Sequence, residues 1–157
     1  MADEEVSYQG PDRDALIAVA CKAVAVLSNK DPERVQPDED GDVYITDGSA
    51  GILVSSQADP PALVFRSRLL EGVKPSPSLY ALINEINVGI ELGQIIYLEK
   101  DETILYYYHY LAEDPGCELV CYIITSMISA ADFYDDRLKS RFGGKRSSEE
   151  AEDEVEI

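Results

Sequence analysis

One stretch decides most of what this chain can become, and it runs from Thr103 to Gly144. It opens with Thr103-Ile104-Leu105-Tyr106-Tyr107-Tyr108-His109-Tyr110-Leu111, a β-branched and aromatic run that predicts a strand. Glu113-Asp114-Pro115-Gly116 interrupts it. Asp114 is placed to cap a helix, with Pro115 at the first helical position, where its missing N–H would have had no partner. The spacing then predicts a helix from Cys117 to about Phe142. Val120, Ile123, Ile124, Met127, Ile128, Ala131, Tyr134 and Leu138 recur at three- and four-residue intervals and paint one stripe. Lys139 and Arg141 complement the helix dipole in the last turn, and Gly143-Gly144 ends it. A long amphipathic helix delivered by a strand needs a sheet to lie on, and the residues before it must supply that sheet.

They do so in two groups. A helix is expected from Pro11-Asp12-Arg13-Asp14, with Leu16, Val19, Ala20, Ala23, Val24 and Leu27 as its stripe, ending at Asn29-Lys30-Asp31-Pro32. Val43 and Ile45 alternate with Tyr44 and Thr46 as a short strand. Asp47-Gly48-Ser49 turns it into a second strand around Ile52-Leu53-Val54. Gln57 to Pro61 breaks the chain again. A third strand covers Ala62 to about Leu70, with Leu63, Phe65 and Leu69 on one face and Arg66 and Arg68 on the other. Those arginines are expected to pair with acidic neighbours across strands or to form a basic spot on a ligand face.

Ser76-Pro77 starts a second helix, whose buried side is Leu79, Leu82, Ile83, Ile86 and Ile90. Gln94 to Glu99 gives a fourth strand, and Lys100-Asp101-Glu102 turns it into the aromatic fifth. The order α-β-β-β-α-β-β-α, with short turns inside each strand group, predicts an α+β fold: an antiparallel sheet with helices gathered on one face. The apolar run 104–108 predicts that part of the other face is covered too, by a partner subunit or a bound peptide. Residues 1–10 are read as a mobile N-terminus, 11–144 as one domain and 145–157 as a disordered acidic tail.

The formal charge of −18 over 157 residues excludes nucleic acid and anionic membrane as expected partners, since both require a basic surface. The acidic start Met1-Ala2-Asp3-Glu4-Glu5 is not expected to act as a basic leader, and no apolar run approaches the ~20 residues of a membrane span. Cys21, Cys117 and Cys121 form no even framework and no Cys-x-x-Cys, so free thiols in a reducing cytoplasm are expected.

No catalytic set emerges. His109 is the single histidine, set among tyrosines, and is read as a packing or hydrogen-bonding residue. Gly48-Ser49-Ala50-Gly51 lacks the lysine of a phosphate loop. Asp132, Asp135 and Asp136 lack calcium-loop spacing and are read as a solvated acidic face. No enzyme activity, cofactor or metal is expected. Tyr106, Tyr108 and Tyr110 share one strand face, with Leu105, Tyr107, His109 and Leu111 on the other. Tyrosine serves surfaces that must be adhesive yet wettable, so a free tyrosine face is the expected contact surface.

With these residues in view, the chain resembles the class I type III secretion chaperones and the related YbjN-like proteins, and it is similar to the actinobacterial members of that group. The resemblance is carried by Leu79-Tyr80-Ala81-Leu82-Ile83-Asn84-Glu85-Ile86-Asn87 and by Tyr106-Tyr107-Tyr108. It is carried also by Ala130-Ala131-Asp132-Phe133-Tyr134-Asp135-Asp136-Arg137-Leu138 with Phe142-Gly143-Gly144. It implies an acidic cytoplasmic protein, a homodimer, that holds an apolar peptide segment of a partner protein without ATP. Leu79, Leu82, Ile83, Ile86, Tyr97, Tyr106, Tyr108 and Tyr110 are then the expected peptide or dimer contacts. The competing expectation is an acidic inhibitor or immunity-type protein that neutralises a basic enzyme through screened charge attraction.

Overall fold

The computed structural model describes residues 10–111 and 114–148. Helix α1 (Arg13–Leu27) begins where Asp12 accepts a hydrogen bond from the Ala15 amide at 2.7 Å. A short 3₁₀ turn, Pro32–Arg34, follows it. Strands β1 (Val43–Asp47), β2 (Ala50–Ala58) and β3 (Pro61–Leu70) come next. Helix α2 (Pro77–Gly89) is capped by the Ser76 hydroxyl on the Leu79 amide. Strands β4 (Gln94–Leu98) and β5 (Thr103–Leu111) precede helix α3 (Cys117–Phe142). The sheet order is β1-β2-β3-β5-β4, antiparallel throughout. The expected order of helices and strands is the observed one.

Strand parity decides which side is core. Val43, Ile45, Ile52, Val54, Leu63, Phe65, Ile104 and Tyr106 share one face and join a single buried cluster with α1, α2 and α3. Tyr44, Leu53, Arg66, Arg68, Leu105 and Tyr107 point the other way and are half-buried or exposed. A register shift between Arg68 and Leu70 lets the adjacent Leu69 and Leu70 both be buried. The helices of that cluster gather on the first face, while on the other, open face Ala62 and Val64 are buried as well.

Several expectations are corrected. The cap of α3 is Gly116, not Asp114, and Pro115 precedes the helix. Asp114 has φ +142°, whereas an N-cap needs the extended geometry that Gly116 adopts at φ −70°, ψ 155°. The break expected at 57–61 shrinks to a tight turn at Asp59-Pro60, so β2 runs to Ala58. The stripe of α3 includes Asp135, which is buried, while Tyr134 is only half-buried. By length and composition α3 is apolar enough to cross a membrane. Here its stripe packs on β2, β3 and α1.

The chain just after Gly144 stays tied to the fold. Lys145 forms an antiparallel bridge with Glu71, each amide donating to the other's carbonyl at 2.9 Å. Arg146 is paired with Asp135 and Asp136. The expected tail beyond Ser148, and the N-terminal expectation for residues 1–9, lie outside the described residues.

Candidate functional site

A sheet with two edges offers two templates for an added strand, and the edges differ. At β4, the Asn87 side chain accepts from the Ile95 amide at 2.7 Å and donates to the Ile95 carbonyl at 2.8 Å. The α2 amide thus occupies one outward backbone pair, that of Ile95, which an incoming strand would need. Asn87→Ala leaves that backbone pair unmet beside a buried side chain. We expect a loss of about 1–2 kcal/mol, read from the urea midpoint; an unchanged midpoint would contradict the edge-capping role.

At the other edge, β1 pairs only with β2. The Gly48-Ser49 turn, with Gly48 at φ +61°, closes on the Asp47–Ala50 pair. Hydrogen-bonded pairs then fall at Asp47, Ile45 and Val43, and the N–H and C=O groups of Tyr44 and Thr46 point outward. Nothing among the described residues meets them. Beside this edge lies a groove of about 680 Å³ lined by Leu27, Ser28, Lys30, Tyr44, Ile45, Thr46, Asp47, Thr125 and Ile128. A free backbone edge next to side-chain pockets is the geometry that strand addition uses.

The open sheet face is the second surface. It carries a cavity of about 1100 Å³ around Arg66, Arg68, Leu98 and Leu105, and an adjoining one of about 310 Å³ reaching Tyr44, Gly51 and Leu53. Tyr44 lies over Gly51 so closely that a Cβ there would fall 1.9 Å from its hydroxyl. Arg66 donates to the Ser55 hydroxyl across the strand pair at 3.2 Å, and Arg68 pairs with Glu71 at 2.6 Å. Among the described residues, then, Arg68 has an acidic partner three positions on rather than across a strand pair, and Arg66 meets a hydroxyl instead. On the same face the Tyr107 hydroxyl and His109 Nδ1 share a hydrogen bond of 3.0 Å, the contact role expected for His109.

The aspartates of α3 do not form a solvated face. Asp135 is 3% exposed. Its Oδ2 accepts from Ser49 Oγ at 3.1 Å and from Arg146 Nε at 3.0 Å. Ser49 Oγ also lies 2.8 Å from Asp132 Oδ1, and Asp136 pairs with Arg146 from outside. Burial pushes the Asp135 carboxyl above its ordinary range, against the opposing pull of Arg146 and Ser49. The cluster fastens the β1–β2 turn and the chain after α3 to one helix. Among the described residues, no group of metal-ligand type is assembled. The position of Asp135, four after Ala131 and three before Leu138, was a signal available in the sequence; Ser49 and Arg146 carried none.

The expected contact residues separate into two sets. Leu79, Leu82, Ile83, Ile86 and Tyr106 are between 0% and 8% exposed and form core within the protomer, because α2 turns its apolar side onto the sheet. They are not available as a contact surface in this fold. Tyr97, Tyr108 and Tyr110 are half-buried. Tyr97 donates to the Val73 carbonyl at 2.5 Å, and Tyr108 stacks on Phe65. The exposed apolar residues on the α2 side are Tyr80 and Val88, which sequence reasoning passed over as outward positions of an amphipathic helix.

This architecture has known counterparts. A crystal structure of the ExsC–ExsE complex superposes with a TM-score of 0.59 at 14% identity, over 77% of this chain and 94% of that one. The Yersinia pestis type III secretion chaperone SycH, solved in complex with a stable fragment of YscM2, gives a TM-score of 0.55 at 16% identity. That match covers 74% of this chain and 98% of the other. These likenesses show a shared fold. No curated protein matches the sequence. The family model described as T3SS (YopN, CesT) and YbjN peptide-binding chaperone 1 matches residues 14–150. Since that span covers nearly the whole chain, the protein belongs to this family of peptide-binding chaperones.

Proposed function

We propose that this protein captures an extended apolar segment of a partner protein by strand addition at β1, without catalysis and without ATP. The observation that carries the reading is the asymmetry of the sheet edges: Asn87 blocks β4 at Ile95, while no described residue caps the β1 edge beside the groove of Leu27, Ile45 and Ile128. Main-chain bonds to Tyr44 and Thr46 would supply affinity, and alternate side chains entering the groove would supply selectivity. Family membership, and structural neighbours solved as complexes, one of them a type III secretion chaperone with a protein fragment, support a protein or peptide client. The reading includes a cytoplasmic setting, in keeping with free Cys21, Cys117 and Cys121. It also includes a homodimer formed through the outward side of α2, where Tyr80 and Val88 are exposed.

The test begins with clients recovered from host lysate at low and high salt. Thr46→Pro removes an outward N–H at an edge position that tolerates proline. We expect it to keep the fold by circular dichroism and to weaken a salt-resistant client at least about tenfold, or about 1.4 kcal/mol. Val88→Asp, on the opposite side, is expected to leave capture intact and to shift the sedimentation equilibrium toward monomer. Equal capture by Thr46→Pro would overturn the β1 assignment. A basic enzyme released at high salt would favour the inhibitor reading instead.

A further inference from the structure

The open sheet face holds a site of its own. We infer that its smaller cavity binds a small organic monocarboxylate, with the carboxylate on Arg66 and Arg68 and an apolar body on Leu53 and Leu105. The site is distinct from the β1 edge and stands whether or not that edge takes a client.

Strand register builds it. Tyr44, Leu53 and Arg66 stand in one row across β1, β2 and β3, and Arg68 pairs with Leu105 in the next. All five line one cavity of about 310 Å³. Small-molecule sites begin at about 300 Å³, so this volume suits a compact ligand. The missing side chain of Gly51 lets Tyr44 lie down on the sheet and wall one side of the cavity. Leu53 and Leu105, both half-buried, give it an apolar floor.

Charge then selects the ligand. The chain carries 31 Asp and Glu against 13 Lys and Arg, so an arginine that meets no carboxylate stands out. Arg66 is one: half-buried, it reaches the Ser55 hydroxyl at 3.2 Å and no acid among the described residues. Its planar fork of N–H donors matches a carboxylate bidentately. Arg68, although paired with Glu71 at 2.6 Å, adds a second positive charge to the same wall. No described carboxylate lines this cavity. A net charge of −18 opposes a dianion more than a monoanion, which favours a carboxylate over a phosphate. A neutral ligand would displace water from the Arg66 guanidinium and leave it unpaired.

Octanoate is the probe, titrated into the full-length protein at constant ionic strength and followed by backbone amide shifts. We expect saturable changes centred on Leu53, Arg66, Arg68 and Leu105. Octan-1-ol keeps the apolar body without the charge, and acetate keeps the charge without the body; each should bind at least about tenfold more weakly. Arg66→Gln should weaken octanoate by a similar factor with an unchanged circular dichroism spectrum and melting temperature. Arg66→Lys, which keeps the charge and loses the fork, should fall between. No saturable change at the open face, equal binding of octan-1-ol, or full affinity in Arg66→Gln would overturn the site. Tighter binding of octyl phosphate would overturn the ligand class. Changes centred on Leu27, Thr125 and Ile128 would move the ligand to the β1 groove and overturn it too. Shifts of the open-face amides on dilution without ligand would do the same, by making a second copy of the chain the occupant.

Discussion

Replacing Tyr106 by alanine is expected to destabilise the fold by about 4 kcal/mol, the largest single effect we foresee. Tyr106 is 1% exposed, lies between Ser67 and Ile95 in the sheet register, and belongs to the cluster that joins β5 to all three helices. Truncation removes a whole ring from close packing and leaves the Leu92 carbonyl without the hydroxyl that donates to it at 2.6 Å. Tyr106→Phe separates the two losses and should cost about 1–1.5 kcal/mol. For a chain of this size, the alanine variant should melt about 10 °C lower. Burial, with a smaller contribution from Tyr134, raises the phenol pKa to about 12. The folded state therefore holds this proton more tightly than the unfolded chain. That share of stability is complete below pH 10 and is lost as pH climbs toward 12. Tyr106→Phe should remove this alkaline loss; an unchanged alkaline limb would contradict the assignment.

The second large effect belongs to Asp135. Asp135→Ala should cost about 2–3 kcal/mol in urea unfolding, below the cost of breaking an isolated buried pair because Arg146 keeps the exposed Asp136. Ser49 would lose one of its two carboxylates, loosening the β1–β2 turn as well as the chain after α3. Asp135→Asn retains acceptors for Ser49 and Arg146 and should cost less. The pH dependence has a definite sign. Burial raises this carboxyl above 3.8, so its stabilising share is complete below that pH and declines as pH rises through the folded value. In Asp135→Asn this decline should vanish, leaving a flatter profile. An alanine variant as stable as the parent would show that the cluster fastens nothing.

What the sequence made legible follows a physical division. Period and caps are local, so Asp12, Ser76-Pro77 and the stripes of α1, α2 and α3 located the helices nearly to the residue. Element order and short turns then sufficed for the antiparallel α+β arrangement. Asp114 misled because its cap role depends on a backbone φ that sequence does not display. The contact surfaces were less legible for a different reason. An apolar helix stripe looks the same whether it meets its own sheet or another molecule, so the pattern of Leu79, Leu82, Ile83 and Ile86 suits a contact surface as well as the core they form. Which face of β5 is covered depends on where three helices land, and that assigned Tyr106 to the interior. The Asn87 clamp on Ile95 is a tertiary contact between a helix end and an edge strand, with no signature beyond an asparagine.

The most direct measurement is amide hydrogen exchange of the full-length protein with and without a client segment recovered by co-purification and protease protection. Strand addition at β1 predicts new protection at Tyr44 and Thr46, whose amides point outward from the sheet, with β4 unchanged. Protection that appears along β4 or the outer side of α2, while Tyr44 and Thr46 exchange as before, would contradict the account.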